Sequence, residues 1–140
     1  MQNKNIILTL TGLSLLFILT GSYLLSANDS CYSQNDNNET NYNRCLAQAN
    51  NGSADALFRM GFLYGHGKGV DIDFSEAMKW YKKAAEKGNP SAQNNIGYLY
   101  QEGKGVKKDI KEAIKWFRKA AEQGNASAQN NLSKALAELE

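Results

Sequence analysis

The sequence is poor in the residue types that metal binding and covalent catalysis require. It contains one histidine, His66, and two cysteines, Cys31 and Cys45, among 140 residues. Zinc sites are built from several closely placed Cys, His or carboxylate ligands, and a cysteine nucleophile needs a histidine within reach. These three residues fit neither arrangement. We therefore expect no metal, no cofactor and no catalytic residue.

A predominance of one charge is also absent. The chain has 16 Lys and Arg against 14 Asp and Glu, for a formal net charge of +2, and its lysines recur at helical spacing among glutamates. Proteins that bind nucleic acid usually present a concentrated basic patch or stripe. The balance of charges therefore predicts no nucleic-acid partner.

The glycine-rich stretch "YGHGKGV" at 64–70 lacks the features of a phosphate-binding loop. A Walker loop ends in Gly-Lys followed by Ser or Thr, whereas Lys68 is followed by Gly69. A dinucleotide fingerprint would need a third glycine in place of Val70. A related stretch, "YQEGKGV" at 100–106, lies 36 residues further on. Recurrence at a fixed period is typical of repeat architecture rather than of an active site.

One long apolar run is present near the N-terminus. Residues 6–27 are 22 residues without a charged side chain, enough for a helix to cross a bilayer core of about 30 Å. Two interpretations fit this run. Segment 1–27 is either an export signal cleaved after Ala27 or an uncleaved anchor that contacts the membrane. Both predict a periplasmic or otherwise extracytoplasmic protein, tethered to the inner membrane by 6–27 if the segment is kept.

A 36-residue pattern occurs at 54–89 and again at 90–125, and a third copy begins at 126 with a single helix. In the first half of each copy, apolar residues follow the spacing i, i+4, i+7, i+8, which predicts one buried helical stripe. The stripe consists of Ala56, Met60, Leu63 and Tyr64, and of Ala92, Ile96, Leu99 and Tyr100.

The second half of each copy predicts another helix. Asp73 and Asp109 are each followed three residues later by Glu, the capping-box arrangement at a helix start. The expected buried stripes are Ala77, Trp80, Tyr81 and Ala84, then Ala113, Trp116, Phe117 and Ala120. Glycine at 88 and 124 is expected to end these helices in a left-handed conformation.

Two further groups of glycines lie within the repeats. Gly61 and Gly97 lie inside the first helices, where glycine costs about 1 kcal/mol relative to alanine, which indicates close contact with a neighbouring helix. The other group is expected to let the chain reverse between helices, and consists of Gly65, Gly67, Gly69, Gly103 and Gly105.

These positions make up the pattern A-x-x-x-[LIM]-G-x-x-Y-x-x-G-x-G-V followed by D-x-x-x-A-x-x-W-[YF]-x-K-A-A-E-x-G. The pattern resembles the Sel-one-like repeat (SLR), a relative of the tetratricopeptide repeat. The resemblance implies an all-α fold, a short right-handed α/α solenoid of helix-turn-helix repeats covering 53–140. It also implies a protein-binding scaffold, since the family acts mostly in that way and many members are bacterial and exported. Ser133 departs from the pattern, which has glycine there.

Upstream of the repeats, 28–52 is expected to form a linker and an N-terminal capping helix. The apolar stripe of that helix would be Tyr42, Cys45, Leu46 and Ala49. In an oxidising compartment Cys31 and Cys45 would form a disulfide that closes a loop of about 15 residues and adds on the order of 3 kcal/mol. The alternative is two free thiols in a polar segment.

The candidate binding residues lie on the first helices, on the stripe opposite the core. In helix-pair solenoids this stripe lines the concave groove, and a mixture of aromatic, Arg and amide groups is typical of recognition surfaces. The candidates are Asp55, Arg59, Phe62, Asn95, Tyr98, Glu102 and Asn131. The alternative for Phe62 and Tyr98 is that they pack against the neighbouring helix pair.

The sequence therefore favours an exported or membrane-tethered scaffold or adaptor that binds a protein or peptide through its concave face. Two copies could also associate end to end. A second hypothesis is a periplasmic immunity protein that neutralises a toxin. A third is a hydrolase of the β-lactamase-like kind described for cysteine-rich relatives. That chemistry needs S-x-x-K, and no serine here has Lys three residues on, so we interpret the chain as a non-enzyme.

Overall fold

The structure, a computed structural model, describes residues 30–139. This part of the chain holds six helices and no β-strand: α1 (Asn38–Asn50), α2 (Ala54–His66), α3 (Phe74–Glu86), α4 (Pro90–Glu102), α5 (Ile110–Glu122) and α6 (Ala126–Ala137). The predicted signal or anchor at 1–27 lies outside the described residues. Between 30 and 139, no helix has both the length and the apolar character that crossing a membrane requires.

The helices follow the 36-residue period of the sequence. The boundaries of α1, α3 and α5 are spaced by that period, and so are the starts of α2, α4 and α6. Each helix packs mainly on the helices next to it in the chain. The first helices (α2, α4 and α6) alternate along the chain with the second helices (α1, α3 and α5). The two sets form the two layers of an α/α solenoid. The predicted all-α fold class is confirmed.

The second helices of the two complete repeats, α3 and α5, each begin at an aspartate, as the sequence predicts. Asp73 accepts a hydrogen bond from the backbone N–H of Glu76 at 2.9 Å, and Asp109 does the same for Glu112. The reciprocal half of the capping box is not used, because the backbone N–H of Asp73 donates to the carbonyl of Tyr64 instead. The Glu76 carboxylate is then free to pair with Lys79 at 2.8 Å.

The core forms where the first and second helices of one repeat face each other. The predicted stripes are buried there, except that the two tyrosines at 64 and 100 and the two tryptophans are half-buried. Gly61 and Gly97 lie against the rings of Tyr81 and Phe117. A Cβ atom at either glycine would come within 2.5 or 2.6 Å of the ring it faces. The prediction of close helix contact is confirmed.

The turn after α2 begins two residues later than the sequence suggests, and the turn after α4 begins at Gly103 as predicted. Gly67 caps α2 with φ +64°, and Gly69 and Gly105 also have positive φ, so these glycines do reverse the chain. Gly65 was predicted to belong to the turn, but it lies within α2. Gln101 replaces it in the second repeat, which agrees with an ordinary helical position.

Segment 31–37 folds back on α1 in place of a further first helix. The structure joins Cys31 to Cys45 as the predicted disulfide, and both residues are fully buried. The buried Asn41 side chain accepts a hydrogen bond from the Ser33 N–H and donates one to the Ser33 carbonyl, both at 2.9 Å. Arg44 and Asp36 form an ion pair at 2.8 Å. The described part of the expected linker is therefore fixed to α1.

Candidate functional site

A cavity of about 440 Å³ opens on the side of the solenoid formed by the first helices. Helices α2, α4 and α6 contribute to it, together with α3 and the turn after α4. This cavity, the concave cup, is lined by Gly65, His66, Phe74, Tyr81, Asn94, Asn95, Tyr98, Leu99, Lys104 and Asn131. Pockets of this size bind small ligands or a few residues of a larger one.

Lys104 lies at one edge of the concave cup, between two aromatic rings. Its Nζ is 5.0 Å from the centroid of the Tyr98 ring and 5.4 Å from that of Phe74. It also donates a hydrogen bond to the Tyr98 hydroxyl at 2.9 Å. This bond raises the pKa of Lys104, and the charge of Glu102 acts in the same direction. The charged lysine is therefore placed against two aromatic rings at the edge of the cup.

The turn that carries Lys104 is fixed by its backbone. Gly103 and Gly105 flank the lysine with φ of +65° and +68°, a conformation that glycine adopts without strain. The Lys104 N–H donates to the carbonyl of Leu99 at 3.0 Å, and the Ser75 hydroxyl donates to the carbonyl of Gly105 at 3.2 Å. A Cβ atom at Gly105 would lie 2.5 Å from the backbone of Phe74. The turn is thus seated against the start of α3.

Amide side chains from α4 and α6 also line the cup. Asn131 of α6 donates a hydrogen bond to Asn94 of α4 at 2.9 Å. This bond connects α4 to α6. Asn95 hydrogen-bonds the Tyr81 hydroxyl at the floor. Burial raises the pKa of Tyr81 to about 12, and the bond with Asn95 acts in the opposite direction. Tyr81 is therefore a neutral hydrogen-bonding group over the whole physiological range.

Three of the predicted groove residues, Asn95, Tyr98 and Asn131, come together in the concave cup. Tyr98 is the most accessible of them, with 41% of its surface exposed. Glu102 is exposed on the last turn of α4, close enough to Lys104 to act on its charge. The structure thus gathers four predicted residues around one cavity or at its edge.

The predicted residues of the first repeat lie elsewhere. Phe62 stacks on His66 with ring centroids 4.0 Å apart and contacts Tyr32 edge-on at 6.3 Å, so segment 31–37 covers part of it. Arg59 is 3.8 Å from the Asp55 carboxylate. Among residues 30–139 the Arg59 Nε has no hydrogen-bond partner. Neither Asp55, Arg59 nor Phe62 lines the cup.

Sequence reasoning missed several residues of the cup. His66 is not among the predicted candidates, but it ends α2 and lines the cavity. Lys104 and Phe74 were not singled out, although Lys104 follows Tyr98 at a short spacing and lies between two glycines, which together signal a fixed turn beside an aromatic ring. Tyr81 was predicted only as a core residue, and its hydroxyl reaches the floor of the cup.

A second hollow, of about 710 Å³, lies at the far end of the described solenoid. It is wider and more open, and its lining is Tyr100, Val106, Lys107, Lys108, Asp109, Ile110, Lys111 and Leu139. Three lysines give it a basic rim, but within 30–139 no group of three or more His, Cys, Asp or Glu residues is placed to hold a metal ion in this hollow or elsewhere. The concave cup has the greater variety of hydrogen-bonding and aromatic groups.

Comparison with known proteins agrees with the repeat pattern. The Sel1 repeat family matches residues 54–89 and 90–125. The chitin synthase regulator SKT5 of Saccharomyces cerevisiae is 43% identical over 63 residues, which cover 45% of this chain and 9% of that protein.

Solved structures show the same fold. A protective antigen of uropathogenic Escherichia coli with an SLR fold gives a TM-score of 0.69 at 43% identity, covering 71% of this chain and 21% of its own. Cysteine rich protein B of Helicobacter pylori gives 0.64 at 29% identity, with 69% and 73% covered. The chain thus spans a small part of the yeast and Escherichia coli proteins and nearly three quarters of the Helicobacter protein.

Proposed function

Since the chain belongs to the Sel1 repeat family, we propose that it is a scaffold or adaptor that binds a partner protein through the concave face of its solenoid. The observation that carries the proposal is the concave cup, where Tyr98, Asn95 and Asn131 meet Lys104. Tyrosine is among the residues that dominate binding energy in protein interfaces, and Tyr98 is exposed here beside a cation and several amides. The yeast relative is named as a regulator of another protein, a role that fits an adaptor.

We place this adaptor in the periplasm or another extracytoplasmic compartment, with 6–27 as its signal or membrane tether. The support is the buried disulfide between Cys31 and Cys45, because disulfides persist in oxidising compartments and are rare in the cytosol. The small size of the cup supports a peptide or a single loop as the part of the partner that is bound.

The test is capture with the full-length chain as bait, using solubilised envelope from the source cells. Tyr98→Ala and Asn131→Ala remove side chains of the cup. Ile72→Ala is the matched control, because Ile72 is an apolar side chain that is 60% exposed and lies outside the cup. Circular dichroism must first show that the three variants are equally folded.

A protein retained by the wild type and by Ile72→Ala, but lost from both cup variants, is the expected result. Equal retention by all four baits would show that the concave cup is not the binding surface. Protection of cells from a toxin directed to the periplasm, with no partner captured from the cells themselves, would favour the immunity role over the adaptor.

A further inference from the structure

The concave cup carries charge of one sign only. Lys104 is the one Lys or Arg in its lining, and no Asp or Glu lines it among the described residues. Glu102 lies near Lys104 but outside the lining. The remaining polar groups of the cup are amides, a histidine and two phenols. An occupant with a negative group therefore meets attraction at one point and neutral hydrogen-bonding groups around it.

The ammonium group of Lys104 is oriented before any ligand arrives. The Tyr98 hydroxyl accepts one of its hydrogen bonds, and the faces of Tyr98 and Phe74 lie within cation–π distance. An ammonium group has three donors, so this bond leaves others for an anion. Because the turn is seated against α3 and the side chain already contacts Tyr98 and Phe74, a ligand has less motion of Lys104 to restrict.

The amide side chains of the cup can hold the backbone of a peptide. An amide side chain has two N–H donors and a carbonyl with two lone pairs. Asn131 uses one donor on Asn94, so both residues retain groups that can pair with peptide N–H and C=O. The rings of Phe74 and Tyr98 supply apolar surface beside them.

We propose that the concave cup binds a peptide segment of the partner through the side-chain carboxylate of an Asp or Glu, which pairs with Lys104. This inference rests on the proposed function and names the chemistry of the partner. A basic peptide would place its charge against Lys104, and a wholly apolar one would remove the ammonium group from water without a counter-charge, which costs free energy. The carboxylate of a side chain fits better than the C-terminal carboxylate of a peptide. The cup is lined from α2 on one side to α6 on the other, so a bound peptide can continue in both directions.

The probe is a library of random hexapeptides displayed on phage and selected on the full-length chain. Selected sequences are then made as N-acetylated, C-amidated fluorescent peptides, so that side chains are the only carboxylates. Each is paired with a version in which Asp is replaced by Asn or Glu by Gln. Fluorescence anisotropy measures binding to the wild type and to four variants: Lys104→Met, Lys104→Arg, Tyr98→Ala and Lys115→Ala.

The variants separate charge from packing. Lys104→Met keeps the alkyl chain against the rings but removes the charge, and Lys104→Arg keeps the charge. Lys115→Ala also removes one positive charge, but from an exposed residue of α5 that pairs with Glu112. We expect acidic residues to be enriched among the selected peptides. Affinity should fall about tenfold to hundredfold with Lys104→Met or with the amide peptide. It should change less than about twofold with Lys115→Ala, and Lys104→Arg should restore much of the binding.

Two results would overturn the inference. In the first, the selected peptides lack acidic residues and bind Lys104→Met as well as wild type, while Tyr98→Ala abolishes binding. The pairing of a carboxylate with Lys104 is then wrong, and the concave cup remains the binding surface. If binding is unchanged by both Lys104→Met and Tyr98→Ala, the cup itself is wrong and the proposed function fails with it.

Discussion

The two complete repeats are nearly identical in their core and different on their concave face. Gly61 against Tyr81 in the first repeat corresponds to Gly97 against Phe117 in the second. On the concave face, the equivalent aromatic residues have different surroundings. Phe62 contacts Tyr32 of the segment held by the disulfide, whereas Tyr98 is exposed and bonded to Lys104.

The difference arises from the layer that precedes each repeat. The turn of the second repeat lies on Phe74, and the turn of the first lies on Asn38 at the start of α1. Phe74 supplies an aromatic face for Lys104, while Asn38 offers none to Lys68. The comparison teaches that positions shared by the repeats maintain the solenoid. The candidate site also needs positions at which the repeats differ, because Lys68 and Lys104 are the same residue type in different surroundings.

Removal of a core ring should be the most damaging change, and it should affect both repeats equally. Phe117→Ala and Tyr81→Ala should each lower the free energy of unfolding by about 3–5 kcal/mol, because each leaves a cavity beside a glycine. Urea unfolding measures both, and Phe117→Leu is the milder control. A large loss in one repeat and a small loss in the other would show that the two cores are not equivalent.

Removal of the disulfide should distinguish the repeats. The double variant Cys31→Ser, Cys45→Ser should lose about 3 kcal/mol of stability by the chain-entropy estimate. It should also release the segment that covers Phe62. Amide hydrogen exchange should therefore accelerate most in α1 and α2 and least in α5. The reduced wild type provides the matched control, and a uniform acceleration along all six helices would contradict the assignment.

Alkaline pH should weaken the first repeat more than the second. Burial raises the pKa of Tyr81 to about 12, against an unfolded value of about 10. Because the folded state favours the neutral phenol, the stabilisation is present below pH 10 and is lost as the pH rises towards 12, by about 2–3 kcal/mol. Phe117, at the equivalent position, has no group to titrate.

The measurement is urea unfolding of the wild type and of Tyr81→Phe between pH 8 and pH 12. The wild type should lose its stability more steeply than the variant. Parallel pH profiles would show that Tyr81 is not responsible. Tyr64 adds to the effect in both proteins, since its hydrogen bond with Tyr42 and its burial raise the pKa of Tyr64 to about 12.

The smallest effects are expected on the outer face, where the repeats are again alike. Lys79 and Lys115 each pair with a glutamate three residues earlier, and both lysine side chains are mostly exposed. Water and salt screen such pairs. Lys79→Ala and Lys115→Ala should therefore leave the urea midpoint within experimental error, at low and at high salt. A clear shift in either would reveal a role for this face that the comparison does not include.

The sequence alone predicts most of the solenoid, because the side chains that must be buried recur with the 36-residue period. Ala56, Met60 and Leu63 correspond to Ala92, Ile96 and Leu99, and all are buried. The aspartate caps and the close glycine contacts follow from the same repeat. Asn41 was not predicted as buried, because an amide in a helix normally faces water. It is buried because segment 31–37 presents backbone groups to it.

The candidate site could be predicted only in part. The 36-residue repeat pattern predicts the same role for Phe62 and Tyr98. It contains no information about the path of segment 31–37, which covers part of Phe62 alone. That path depends on a disulfide and on a polar segment without periodicity. The position of Lys104 over two rings likewise depends on how the turn of one repeat rests on the previous one. Contacts between repeats are thus less visible in the sequence than contacts within a repeat.

The seating of each turn on the preceding second helix has a consequence for how such a chain can evolve. Gly105 meets α3 as Gly69 meets α1, and neither contact extends beyond the adjacent repeat. A tandem duplication of 90–125 would therefore supply both partners of the new junction at once. It would lengthen the concave face by one more helix without requiring any compensating substitution. The length of the concave face and the choice of partner can then change by the gain or loss of whole repeats, while the packing of the existing repeats stays the same.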